Sequence, residues 1–196
     1  MLKGARPSVV IIGGPNGAGK STAGPPLLRD LLGIRTFVNA DRIAEGLAAY
    51  NPEAVAFSAG RIMLERIGDL ILKRETFAFE TTLAARTFAP RIRKCLAAGY
   101  DFHLVYLWLP SAAFAIDRVA ARVMLGGHGV PPATIKRRYK AGLRNFFGLY
   151  RSMATSWRIY DTSQCGTPRL IANGARNGIM NIRDADGWKM ICKGAK

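Results

Sequence analysis

The sequence predicts an α/β fold, a parallel sheet flanked by helices. Three observations predict it. Short apolar, β-branched runs alternate with stretches of helical periodicity along most of the chain. The run Phe102 to Leu109 is apolar on nearly every residue, as a strand must be when both faces of its sheet are covered. A glycine-rich segment joins the first apolar run to the first helix. The 196 residues suit one domain, numbered 1–196, with enough chain to bury a core.

Ser8 to Ile12 is a short β-branched run and predicts a buried first strand. Lys20 to Leu32 predicts a helix ending near Gly33, with Pro25 and Pro26 delaying or kinking it. Thr36 to Val38 predicts a second strand, and Asp41 opens a helical turn. Pro52 starts a long helix to about Arg74, because Val55, Ala59, Ile62, Ile67, Leu70 and Ile71 recur at helical spacing. Phe77 to Phe79 is the third strand. Pro90 to Ala98 is helical and stops at Gly99. Phe102 to Leu109 is the fourth strand, and Ser111 caps a helix to about Leu125. A glycine-proline hinge spans Gly126 to Pro132, Thr134 to Tyr150 is helical, and Arg158 to Asp161 is a fifth strand. The tail predicts a small antiparallel β appendage at about 166–193. Its strands are Leu170 to Ala172, Gly178 to Ile182 and Lys189 to Ile191, separated by Asn-Gly and Asp-Gly turns.

Composition narrows the class. Hydrophobic residues make up 49% and charged residues 21%, an ordinary globular balance. No run is long and apolar enough to span a membrane, and Met1 to Pro7 does not read as a signal peptide. Cys95, Cys165 and Cys192 are odd in number and widely spaced, which fits a reducing cytosol and assigns them no chemistry. The net charge of +16 favours anionic partners. Arg118 to Arg158 holds nine Lys or Arg residues and no acid, either a solvated basic face or a set of phosphate contacts.

The phosphate contacts have a focus. Gly14-Pro15-Asn16-Gly17-Ala18-Gly19-Lys20-Ser21 matches G-x-x-x-x-G-K-[ST] in full, between a predicted strand and a predicted helix. Glycines let backbone N–H groups turn inward around anionic oxygens, and the helix N-terminus adds its positive end. Lys20 reaches the β- and γ-phosphates of ATP, Ser21 ligates Mg2+, and Thr22 follows in the same turn. The predicted fold is therefore a P-loop NTPase-type sheet. The same string occurs in transporter ATPase cassettes, but those carry a Ser-Gly-Gly-Gln signature and a strand ending in Asp-Glu, and this chain has neither.

Further candidates lie at strand ends. Asp41 is 21 residues beyond Lys20, after the second strand, and reads either as a proton acceptor or water-bridged magnesium ligand, or as a helix N-cap. Glu80, followed by Thr81 and Thr82, reads either as an acceptor-binding carboxylate or as a strand-terminal cap. Arg118 and Arg122 share a helix face at i and i+4. After the Gly126–Pro132 hinge come Lys136, Arg137 and Arg138, so two arginine-bearing helices form a lid over about 117–150. Lid closure would bring guanidiniums onto a transferring phosphoryl group. His128 reads as a structural polar residue of the hinge.

Together these residues resemble the zeta toxin family, in its small versions. The matching pieces are Gly14 to Thr22, Val38-Asn39-Ala40-Asp41, Phe79-Glu80-Thr81-Thr82, Arg118 to Arg122, Gly126-Gly127-His128 with Val130-Pro131, Arg137-Arg138-Tyr139, and Leu170 to Gly174 with Asp186-Gly187-Trp188. The resemblance implies ATP- and Mg2+-dependent phosphorylation of a hydroxyl on a UDP-activated amino sugar such as UDP-N-acetylglucosamine. It implies Asp41 as catalytic base, Lys20 as phosphate contact, Ser21 as metal ligand and Glu80 as substrate carboxylate beside Thr81 and Thr82. One arginine of Arg118/Arg122 and one of Arg137/Arg138 become γ-phosphate clamps, Arg122 and Arg138 being favoured, and Arg118 lies on the nucleotide. A separate antitoxin protein is the partner that goes with this resemblance, and the cysteine usage sets the expected location as cytoplasmic. Two other readings stand beside it: a nucleic-acid end kinase or RNA-associated P-loop protein, suggested by the charge, and a non-catalytic nucleotide-binding module.

Overall fold

In the computed structural model, residues 6–26, 28, 33–164 and 166–195 are described. The strands are β1 (Ser8–Gly13), β2 (Phe37–Val38), β3 (Phe77–Thr81), β4 (Asp101–Trp108), β5 (Ser156–Asp161), β6 (Arg169–Ala175) and β7 (Gly178–Ile182). The helices are α1 (Lys20–Pro26), α2 (Ala40–Leu47), α3 (Ala56–Leu72), α4 (Ala89–Ala97), α5 (Ala112–Met124), α6 (Pro132–Asn145), α7 (Arg151–Met153) and α8 (Ala185–Gly194). A short 3₁₀ helix, Pro52–Val55, leads into α3, and a π-helical segment, Phe146–Tyr150, joins α6 to α7.

One seven-stranded sheet runs β2-β3-β1-β4-β5-β6-β7. The first five strands in that order are parallel, and β6 and β7 add antiparallel. β1 is central, buried along Val9 to Gly13 between β3 and β4. Its neighbours are equally apolar: Phe77, Ala78 and Phe79 on β3, and Leu104 to Trp108 on β4, are all buried. This order sets the carboxyl ends of β2, β3 and β1 side by side, with Val38 opposite Phe79 and Ile12 opposite Glu80. In open α/β sheets that edge is where ligands bind.

The C-terminal half packs around aromatic rings. Trp157 on β5 is fully buried, stacks on Trp188 of α8 at 5.9 Å, and meets Phe146 edge-on at 6.0 Å. Burying a side chain of this kind contributes about 2–3 kcal/mol. Arg151 lies over Phe147 and Trp157 and finishes the cluster as a cation–π cap.

Several expected elements differ. α1 begins at Lys20 despite its two prolines, because the Gly19 carbonyl accepts from Thr22 and Ala23 and closes the first turn. Its expected continuation to Leu32 lies largely outside the described residues, as does Cys165. The long helix expected from Pro52 starts as 3₁₀ and turns α-helical only at Ala56. Glu80 falls within β3 rather than after it. The helix expected to run to Tyr150 widens to π geometry at Phe146. The expected antiparallel tail strands are present as β6 and β7, added to the edge of the main sheet. Lys189 to Ile191 is helical, not a strand. Asp184 caps α8 by accepting from the Gly187 amide at 2.9 Å, and Trp188 and Ile191, three apart, share the buried face.

Candidate active site

The loop after β1 is the floor of a cleft of about 1480 Å³. Gly17 and Gly19 sit at φ +79° and +75°, the left-handed region that turns successive amides to one side. Lys20 donates to the Pro15 carbonyl at 2.9 Å, bracing the loop from within. The Asn16 side-chain oxygen is buried and has no hydrogen-bond partner among the described residues. The rest of the cleft is lined from α2, α3, the β3 end, α5, the hinge and α6, and includes Asp41, Glu80, Thr81, Thr82, Arg118, Arg122, Arg137 and Arg138. Every candidate catalytic or binding residue named beyond the loop thus lines one cleft.

Ser21 donates to the Glu80 carboxylate, with both oxygens at 3.1 Å. Burial lowers the Lys20 pKa from its ordinary value; Glu80 and Asp41 oppose this, while Arg122 and Arg138 add to it. Burial raises that of Glu80, against the pull of Lys20, the Ser21 hydrogen bond and Asn39. Lys20 therefore feels both acids and both arginines at once.

Asp41 is not the cap of α2. Asn39 is: its side-chain oxygen accepts from the Asp41 amide at 2.8 Å and the Arg42 amide at 3.1 Å. The Asp41 side chain is released to the cleft. The signal for this cap is in the sequence, since Asn before Ala-Asp-Arg is a preferred N-cap residue. Thr81 and Thr82 each accept from an amide two residues on, at 3.2 and 3.4 Å, which leaves their hydroxyl protons for donation. Leu83 follows at φ +57°, an uncommon setting for a non-glycine residue. Asn145 of α6 holds this turn by donating to the Leu83 and Ala84 carbonyls at 2.8 and 3.0 Å.

The two arginine helices are anchored. α6 buries Ile135, Tyr139 and Leu143, and Tyr139 donates to the Leu109 carbonyl at 2.7 Å. Arg118 lies over the Phe114 ring and donates to the Ser163 carbonyl at 3.3 Å. Arg122 donates to the His128 carbonyl at 2.8 Å. The cleft is also lined by Phe57 and Arg61 of α3 and by Phe88, which sequence reasoning passed over because nothing in helical periodicity marks an outward face as a cleft wall.

A family model described as Zeta toxin matches residues 1–165. The chain belongs to the Zeta toxin family. The parallel sheet and the glycine loop between β1 and α1 agree with that membership. An uncharacterized protein of Haemophilus influenzae is 29% identical over 128 residues, 64% of this chain and 88% of that protein. A crystal structure of AvrRxo1-ORF1:AvrRxo1-ORF2 with sulphate ions aligns over 96% of this chain, with 16% identity and a TM-score of 0.72. The present chain spans 64% of that longer one; the same complex has also been crystallised with ATP. The PezAT toxin-antitoxin system of Streptococcus pneumoniae aligns over 98% of this chain and 88% of its own, at 13% identity and a TM-score of 0.64. At such identities these structures establish the fold. No helix among the described residues is long and apolar enough to cross a membrane.

Proposed function

We propose that the chain transfers the γ-phosphoryl group of ATP to a hydroxyl of a small anionic acceptor, a UDP-activated amino sugar such as UDP-N-acetylglucosamine. The observation that carries the reading is that Lys20, Ser21, Asp41, Glu80, Arg122 and Arg138 line one cleft at the carboxyl ends of the central strands.

The residues fit both ATP and magnesium. Gly17, Gly19, Lys20 and Ser21 of the glycine loop line the cleft where a helix N-terminus offers its amides to an anion, and Lys20 adds a cation there. Mg2+ needs few protein ligands because it keeps water and phosphate oxygens in its shell. The Ser21 hydroxyl would hold it, with the Glu80 carboxylate close by; no group of three or more His, Cys, Asp or Glu side chains suited to a metal occurs among the described residues. When bound, the ion neutralises charge on the β- and γ-phosphates.

Asp41 takes the proton from the acceptor hydroxyl as that oxygen bonds to the γ-phosphorus. The bond from that phosphorus to the bridging oxygen breaks, and ADP leaves with the electron pair. Lys20, Arg122 and Arg138 stabilise the charge spread over the transferring oxygens. Arg118, which lines the same cleft, would contact the nucleotide. Thr81 and Thr82 offer protons to the acceptor. Glu80, the acceptor carboxylate by family resemblance, is turned toward Ser21 and so also reaches the metal side. A separate antitoxin protein is the macromolecular partner this reading implies, and the reading is that of a cytoplasmic enzyme.

A second reading draws on α6, which carries Lys136, Arg137, Lys140 and Arg144 exposed and no carboxylate: a nucleic-acid end kinase. Incubation with labelled ATP and a panel of UDP-sugars, dinucleotides and oligonucleotides separates the two. Label on a UDP-amino sugar, lost in Asp41→Asn while ATP still binds, supports the first. Label only on oligonucleotides replaces it with the second.

A further inference from the structure

Two adjacent glycines close the turn after α5, for different reasons. Gly126 sits at φ +84°, and a Cβ placed on it would meet nothing within 4 Å. Its backbone is what requires glycine. Gly127 is outside the left-handed region, so its backbone makes no such demand. There the space is taken: a Cβ would stand 2.7 Å from Cγ of Arg122 and 3.1 Å from the Arg122 carbonyl oxygen. Cγ lies near the main chain, so moving only the far end of the arginine would not relieve the clash.

The turn is wrapped around this one arginine. Its carbonyl accepts from the Leu125 amide at 3.1 Å and the Gly127 amide at 3.0 Å. Its guanidinium donates to the His128 carbonyl at 2.8 Å. Its Nε is buried and has no acceptor among the described residues. That one hinge carbonyl is the hydrogen-bond acceptor holding the guanidinium where its charge bears on Lys20.

We propose that Gly127 is a positioning residue for Arg122: the missing side chain lets the arginine run under the hinge and be held by the His128 carbonyl, aimed at the phosphate cradle. The inference rests on the reading of Arg122 as a phosphate clamp. Any side chain at 127 displaces Cγ, swings the guanidinium off the carbonyl and removes the clamp from the transfer geometry.

A double-mutant cycle with an independent spectroscopic readout tests it. Gly127→Ala is expected to lower kcat by on the order of 10–100-fold, with KM for ATP little changed, since a misplacement of about 1 Å in catalytic geometry costs about that much. In an Arg122→Ala background, which lacks Cγ, Gly127→Ala should cost little further, because the contact that remains, 3.1 Å to the residue 122 carbonyl oxygen, is relieved by a shift of a few tenths of an ångström. A full additional loss in that background, or undiminished turnover of Gly127→Ala alone, overturns the proposal. Should Gly127→Ala fail to fold, the double variant is expected to fold; a double variant that also fails overturns it. The Nε–Hε resonance of Arg122 in 15N-arginine-labelled protein reports the same contact without catalysis. It is expected to be distinct in wild type and to merge with the mobile arginines in Gly127→Ala; an unchanged resonance overturns the proposal. Arg122→Ala at wild-type turnover would instead strike the clamp role itself, and the resonance would still decide what Gly127 does.

Discussion

The Ser21 hydroxyl lies 3.1 Å from each carboxylate oxygen of Glu80, one proton facing two acceptors across the gap between α1 and β3. Glu80 pairs in register with Ile12, at the end of the strand that feeds the glycine loop. The carboxylate is therefore fixed to the same sheet edge as the phosphate cradle. A metal ion taking the Ser21 oxygen would find this carboxylate beside it.

Glu80→Gln keeps the shape and removes the charge. ATP affinity measured by calorimetry should lose most of its dependence on Mg2+, with apparent metal affinity down about 10–100-fold. Affinity for ATP without metal should be unchanged or tighter. Intact magnesium dependence in this variant would confine Glu80 to the acceptor side.

Lys20→Met separates function from stability. Turnover should fall by on the order of 10³-fold, because charge stabilisation at the γ-phosphate is lost. The thermal midpoint of the free protein should hold or rise, since an ammonium whose pKa is depressed by burial destabilises the empty fold at neutral pH. The linkage has a definite sign. The lysine's share of stability is present above its ordinary value of 10.5 and is lost as pH falls through its lowered folded value. Bound phosphate reverses the shift, so ATP binding should take up protons increasingly as pH rises toward 10.5, read as a buffer-dependent binding enthalpy. Proton release on that limb would contradict the depressed lysine.

Much of this was legible beforehand. The parallel core follows from strands apolar on every residue, and the cradle from a motif in its proper strand-to-helix setting. Glu80, Asp41 and the arginines were legible as types at strand ends and on helix faces. What periodicity could not supply was mutual placement. That Ser21 meets Glu80 depends on β3, not β2, lying beside β1, which is a property of strand order. The α8 segment departs from the expected strand because Asp184, not the Asp186-Gly187 pair that signals a turn, sets the chain: it accepts from the Gly187 amide and caps a helix whose Trp188 stacks on Trp157. Cys95, assigned no chemistry, is buried, and burial pushes its thiol up to about 11, consistent with an inert side chain.

Tyr106→Phe should stabilise the protein. The ring is fully buried on β4 and packs on Phe146 at 5.2 Å, but its hydroxyl has no partner among the described residues. An unsatisfied buried hydroxyl costs about 1–3 kcal/mol. Removing it should raise the thermal midpoint by about 2–4 °C per kcal/mol recovered. A lower midpoint would show that the hydroxyl is satisfied in solution.

Gly142 couples α6 to the sheet. It lies on the buried face of α6, where an added Cβ would stand 2.6 Å from the Thr82 carbonyl oxygen and 3.4 Å from the Tyr106 hydroxyl. The first of these is main chain next to a strand end, so it cannot turn aside as a side chain could. Gly142→Ala must push α6 outward or distort the turn that Asn145 holds through Leu83 and Ala84. Arg138 is one helical turn away on the same helix and would move with it. The expected result is a kcat lowered about 10–100-fold, as for other small misplacements of charged groups, together with a fall in thermal midpoint from the overpacked contact, about 1–3 kcal/mol. Adding Tyr106→Phe should restore little of the loss, because the harder contact is with the Thr82 backbone. Full rescue by that second change would place the constraint on the hydroxyl and free the helix from the strand end.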